Sequence, residues 1–183
     1  MPAPSSHGSP HGSESADRNL LRDAIALAQA FTERLLADFP ADQARFRPAP
    51  TDNHAQWILG HVAVGYDDVA ALLDGEPRRL DATHRGLYGW SSKPSDTARD
   101  EEPPFDVLVE RLARSRDRLR EAVDAASDEQ LAAPPPDDLA YIGPTHAALA
   151  MSCAWHEGWH AGQLASIRRA LGRPAAVSQV EQP

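Results

Sequence analysis

His156 and His160 stand four residues apart in the chain. On a helix that spacing puts both imidazoles on one face a single turn apart, where two ring nitrogens can reach one ion. An H-x3-H pair alone is a weak signal, and its setting strengthens it. Both residues fall in an apolar series, Leu149, Cys153, His156, His160, Leu164, Ile167 and Leu171, and His61 falls in another, Ile58, His61, Val62, Gly65, Val69 and Leu72. His61 and His156 each lie about ten residues into their segments, at comparable depth if the segments are helices. Three separately buried neutral histidines would each need hydrogen-bond partners, and any left unpaired would cost a few kcal/mol. A shared divalent metal explains all three together. Three nitrogen ligands leave at least one coordination position open, the pattern of a catalytic rather than a closed structural centre, and they suit zinc, nickel, copper and iron alike.

The elements that must position these rings read as helices throughout. In a chain of 183 residues, 42% hydrophobic and 25% charged, one domain with a sizeable core is expected. Four segments carry apolar residues at three-to-four-residue intervals and little alternates at period two, so the fold class is all-α. The first segment, about 17–39, has Leu21, Ile25, Ala28, Phe31, Leu35 and Phe39 on its stripe and stops at Pro40. The second begins near Thr51 and ends at Leu73 or Asp74, with Gly75 as C-cap. The third follows Pro103 and Pro104 and carries Phe105, Leu108, Leu112, Ser115, Leu119, Ala122 and Ala126; Ser127 with Gln130 then reads as a capping box. The fourth begins near Thr145 and ends at Leu171 before Gly172.

A four-helix bundle follows, with a long connection between its second and third helices. That connection, 76–102, exceeds the roughly 12–15 residues usual for a structureless loop and is long enough to run the length of a bundle, making the two helices parallel neighbours. Residues 1–16, rich in Pro, Ser, Gly and His, read as a disordered tail in which His7 and His11 have no defined role, residues 17–174 as the domain, and 175–183 as a flexible end.

Charge and motif content exclude other classes. A net charge of −9 and a pI near 5.3 disfavour a nucleic-acid partner, which needs a basic face. Without a span of about 18 apolar residues or a secretory start, no membrane role is expected and a cytoplasmic location is. One cysteine, Cys153, forms no internal disulfide and suits a reducing compartment.

The segment NHAQWILGHVAVGYDDVAALL (53–73), followed by HEGWHAGQLASIRRALG (156–172), resembles the DinB/YfiT superfamily of metal-binding four-helix bundles. The resemblance spans about residues 17–174 and rests on the paired His156 and His160 followed by Gly162, Gln163 and Leu164, with His61 as the earlier single ligand. It implies one divalent ion, zinc, nickel or iron, on His61, His156 and His160, and a homodimer in many members. Relatives include bacillithiol-using thiol S-transferases, a mycothiol-dependent maleylpyruvate isomerase and proteins that are only described as metal-dependent hydrolases. The expected activity is transfer of a low-molecular-weight thiol, as cosubstrate, to an electrophilic small molecule. A water-activating hydrolase and a non-enzymatic metal-binding stress-response protein are the alternatives. No residue is assigned a catalytic role.

The remaining candidates read mostly as structure. His54, seven residues before His61 and about 10 Å along the axis, is too far to share the ion and reads as a pocket-wall or first-turn residue. His146 reads as structural, and His84 as solvent-exposed. Cys153 reads as a small buried filler. Glu157, turned about 100° from its neighbouring ligand, reads as a solvated or outer carboxylate, a general base only if the pocket is wide. Trp57, Trp155 and Trp159 read as packing residues. Tyr88 and Trp90 read equally as core residues or as anchors of a lid. Arg111, Arg114, Arg116, Arg118 and Arg120, interleaved with acids, read as a solvated helix face.

Overall fold

Prolines and glycines decide where the helices stop. The structure, a computed structural model, describes residues 11–176. Helix α1 (His11–Leu36) is followed by a 3-10 turn (Ala41–Gln43), α2 (Ala55–Asp74), α3 (Ala82–Tyr88), α4 (Phe105–Ala125), α5 (Asp128–Ala132) and α6 (His146–Ala170). Among the described residues there is no strand, so the all-α expectation holds. Gly75 and Gly172 take φ of 72°, the left-handed conformation that ends α2 and follows α6 at little cost only for glycine. Ser127 and Gln130 form the expected capping box of α5, and the Thr145 hydroxyl accepts the amide of Ala148 at 3.1 Å to start α6.

Two helix starts depart from expectation. Helix α1 begins at His11, so the expected tail boundary at residue 16 falls within it; residues 1–10 and 177–183, where most of the two expected loose ends lie, are outside the described residues. Helix α2 starts at Ala55 rather than near Thr51. The Asp52 carboxylate accepts the Ala49 amide and closes a turn ahead of the helix, and His54 Nδ1 then accepts the Trp57 amide at 3.0 Å as the N-cap. The 76–102 connection is not structureless, because Asp81 caps α3 within it.

Helix α2 is apolar on nearly every face and packs against α4, α6 and α3, while α1 packs against α6 and α4. Contacts along α2 and α4 run in the same order: Gln56 Nε2 donates to the Pro103 carbonyl at one end, and Arg118 binds Asp74 at the other. The two helices are therefore parallel neighbours, as the length of the connection allows. Against α6 the order reverses, with Asn53 reaching Gln163 and Cys153 reaching the Gly65 carbonyl. No described helix is long and apolar enough to cross a membrane.

The arginine row of α4 divides: Arg114 is exposed and pairs with Glu110 one turn back, as a solvated face requires, whereas two of the five arginines turn inward. Arg116 and Arg118 are buried, the latter donating to Asp67 at 2.7 Å and to Asp74 at 2.9 and 3.0 Å. Asp67 also accepts the amides of Arg79 and Leu80, both at 3.0 Å, which ties the start of the long connection to the core. A buried guanidinium survives only where carboxylates and carbonyls satisfy its fork, and here they do. On α1 the expected stripe is buried except for Phe31, which is 41% exposed while Thr32 turns inward.

Candidate metal centre

The antiparallel packing of α2 on α6 brings His61 against His156 and His160. One ring nitrogen from each lies within 4.8 Å of the other two, and the ring centroids are 5.0, 5.3 and 4.6 Å apart. Among the described residues, these are the histidines that meet. His54 caps α2, and His84 is buried on α3 rather than exposed, its Nε2 donating to the Gly60 carbonyl at 3.2 Å and its Nδ1 accepting from Arg111 at 2.8 Å. The exposed reading of His84 missed the helix within the connection, which turns this ring inward.

Outer partners fix two of the three rings. His61 Nδ1–H donates to the Tyr88 carbonyl at 2.8 Å, and His160 Nδ1–H donates to Gln163 Oε1 at 3.0 Å, which Asn53 Nδ2 holds at 3.1 Å. With those protons on Nδ1, both Nε2 lone pairs face the centre. Burial is the main cause that keeps each ring neutral. It lowers His61 below the usual imidazole range, His160 to about 4, and His156, with His160 and His61 beside it, to about 3. The Nε2 atoms of His156 and His160 lie 3.0 Å apart. Two neutral imidazole lone pairs at that distance repel unless a cation or a proton lies between them. A neutral three-nitrogen donor set with braced tautomers fits a divalent transition metal.

Aromatic walls close the centre. Trp57 stacks on His61 at 4.2 Å and 14° and donates from Nε1 to the Ser92 hydroxyl. Trp90 stacks on His156 at 5.3 Å and meets His61 edge-on. Tyr88 is a core residue, one of the two roles the sequence left open, and Trp90 is half-exposed. Trp155 and Trp159 are 63% and 59% exposed, not packing residues of the interior.

Glu157 is the largest departure. It is buried, both carboxylate oxygens accept from Arg116, and the Tyr66 hydroxyl donates to Oε2 at 2.7 Å. Burial, and next Glu157 itself, pushes the Tyr66 phenol up, so it stays a neutral donor. Burial likewise raises the Cys153 thiol, which is the inert filler expected.

A DinB-superfamily sequence profile matches residues 24–164. The chain belongs to the DinB superfamily. Membership points to a metal-binding helical protein, in keeping with the three converging histidines. A conserved protein from Enterococcus faecalis of known crystal structure is similar to this DinB-superfamily chain in fold, with 20% identity and a TM-score of 0.64 over 85% of this chain and 97% of that one. No curated protein matches the chain.

Sequence reasoning missed the partners that brace the site. Gln163 was legible in principle, three residues after His160 and so on the same helical face. Asn53 and the Tyr88 carbonyl carried no signal, because the first meets Gln163 only once α6 has packed against the start of α2, and the second meets His61 only once the connection has folded over α2.

Proposed function

We propose that His61, His156 and His160 hold one divalent transition metal ion, zinc, nickel or iron, within a four-helix bundle, and that the protein is a metal-dependent enzyme transferring a low-molecular-weight thiol to an electrophilic small molecule. The observation that carries the metal is the bracing of His61 by Tyr88 and of His160 by Gln163, which commits two Nε2 atoms to one point beside that of His156. When bound, the ion would supply the positive charge that favours a thiolate at neutral pH. The protein's own residues orient the ligand nitrogens and, through Trp57 and Trp90, keep bulk water from them.

Glu157 favours thiol transfer over hydrolysis. A hydrolase that relied on Glu157 as general base would need that carboxylate free, and it is committed to Arg116 and Tyr66. We also propose a homodimer, supported by the exposed Leu27 and Phe31 of α1, which line an apolar groove between α1 and α6. Sedimentation of wild type and of Leu27→Glu/Phe31→Glu should then give a dimer and a monomer.

The activity test offers bacillithiol, mycothiol, glutathione and coenzyme A separately, with 1-chloro-2,4-dinitrobenzene as electrophile, to metal-loaded and chelated protein. Conjugation with at least one thiol, abolished by chelation, is expected. Metal-dependent cleavage of chromogenic esters with no thiol turnover would favour the hydrolase instead.

A further inference from the structure

A cavity of about 660 Å³ opens beside His156, between the second half of α2, the first half of α6 and the segment around Leu139 and Ile142. Its walls are almost entirely apolar: Val69, Leu139, Ile142, Leu149 and Met151 line it, with His156 at one end. Trp90, Tyr141 and Trp155, each more than half exposed, stand around it. Single exposed aromatics are ordinary on a protein surface, but three around one apolar cavity that reaches a metal-ligating ring form a built entrance.

Charge within the cavity is cancelled. Asp68 is the carboxylate in the lining, and its Oδ1 accepts from Arg78 Nε and Arg85 Nη2, both at 2.6 Å. Arg85 also lies 3.9 Å from Asp67, which binds Arg118, itself bound to Asp74. Arg78, Arg85 and Arg118 thus balance Asp67, Asp68 and Asp74, three charges against three. The thiol of Cys153 is neutral and its Sγ is turned to the Gly65 carbonyl. A charged ligand body would lose its hydration here and find no unpaired counter-charge, whereas an apolar body would gain from burial of its surface.

We infer that this cavity binds the acceptor substrate, and that the substrate is an uncharged small molecule with a flat apolar or aromatic body, its reacting end toward His156. The assignment of the reacting end rests on the metal-dependent transfer proposed above; the assignment of the cavity does not. Low-molecular-weight thiols are polar and charged, so the apolar cavity suits the second substrate rather than the thiol.

N-phenyl-1-naphthylamine, an uncharged probe that fluoresces in apolar surroundings, tests this on the full chain with and without bound nickel. Saturable one-site binding is expected. Ser152→Trp and Ala148→Trp, each at a half-buried lining position, should raise its Kd at least ten-fold with helical content and metal stoichiometry unchanged, whereas Leu27→Glu/Phe31→Glu in the α1–α6 groove should leave it alone. Naphthalene should displace the probe at least ten-fold more effectively than naphthalene-1-sulfonate. Nickel on the histidines should quench the bound probe, and zinc should not. Loss of binding in the groove variant but in neither cavity variant overturns the inference, as does preference for the sulfonate. Probe binding by a chain that takes up no metal supports the cavity while sinking the metal reading. Unquenched probe on a stoichiometric nickel protein sinks the placement beside His156 alone.

Discussion

Tyr88 reaches His61 with its backbone, not its ring. Its carbonyl accepts His61 Nδ1–H at 2.8 Å, while its ring lies flat over Gly60, where an added Cβ would come within 2.3 Å of the aromatic carbons. The residue before His61 therefore has to be glycine so that α3 can seat close enough to brace that ring.

Gly60→Ala should shift Tyr88, release His61 from its fixed tautomer, and weaken metal binding by roughly 10–100-fold. Overpacking should add about 1–3 kcal/mol of destabilisation. Gly158→Ala on the exposed face of α6, where a Cβ meets nothing within 4 Å, should instead stabilise the fold by about 0.5–1 kcal/mol and leave metal affinity alone. Competition titration with a chromogenic chelator and urea denaturation read the two effects; equal metal affinities in the two variants would count against the bracing role of Tyr88.

Replacing His61, His156 or His160 with Ala should remove stoichiometric metal, since the two α6 rings form a one-turn chelate and His61 completes the set from α2. His146→Ala should keep metal and fold. His54→Ala and His84→Ala should keep metal but lose about 1–3 kcal/mol each, because the first removes the α2 cap and the second leaves Arg111 and the Gly60 carbonyl without a buried partner. Elemental analysis with thermal melts separates the two groups. Full occupancy in the His61 variant would falsify the three-histidine site.

The converging histidines were legible because helical spacing and the apolar seam together tell which way a side chain points. The same logic failed for Arg116, Arg118, Glu157 and His84. Sequence periodicity assigns charged residues to solvent, and only the partner across the interface, Glu157 for Arg116 or Asp67 for Arg118, shows that a charge can lie inside. His84 was misplaced for a related reason: a seven-residue helix is too short to print a period, and its orientation is set by the Asp81 cap and by contact with α2.

Glu157→Gln should cost about 3–5 kcal/mol, because Arg116 would keep its buried charge and lose its counter-ion. Metal stoichiometry should be unchanged, since the carboxylate faces Arg116 and Tyr66 rather than the histidines. Arg116→Met with Glu157→Leu should recover most of the loss, leaving the Tyr66 hydroxyl as the unsatisfied group. Urea midpoints of the single and double variants measure this coupling, and additive losses would contradict a directly paired Arg116 and Glu157.

The metal-free protein should lose stability as pH falls from about 6.5 toward about 4, and His54 and His84 should account for a resolvable part of the loss. In each ring Nδ1 accepts a hydrogen bond, from the Trp57 amide in one and from Arg111 in the other, while Nε2 donates to a carbonyl, so only the neutral form fits its partners. Burial is the leading cause that holds both near 4, against 6.5 for a free imidazole. Between those values the unfolded chain binds more protons than the folded one, so stability rises with pH; the penalty begins below about 6.5 and stops growing below about 4. At pH 5 it should amount to about 1–2 kcal/mol per ring, at 1.36 kcal/mol per pH unit. His54→Gln and His84→Gln should each flatten the pH dependence of the urea-derived stability by up to one proton between pH 4.5 and 6. Slopes identical to wild type in both variants would mean that the acid sensitivity arises elsewhere, with the metal-site rings left as its source.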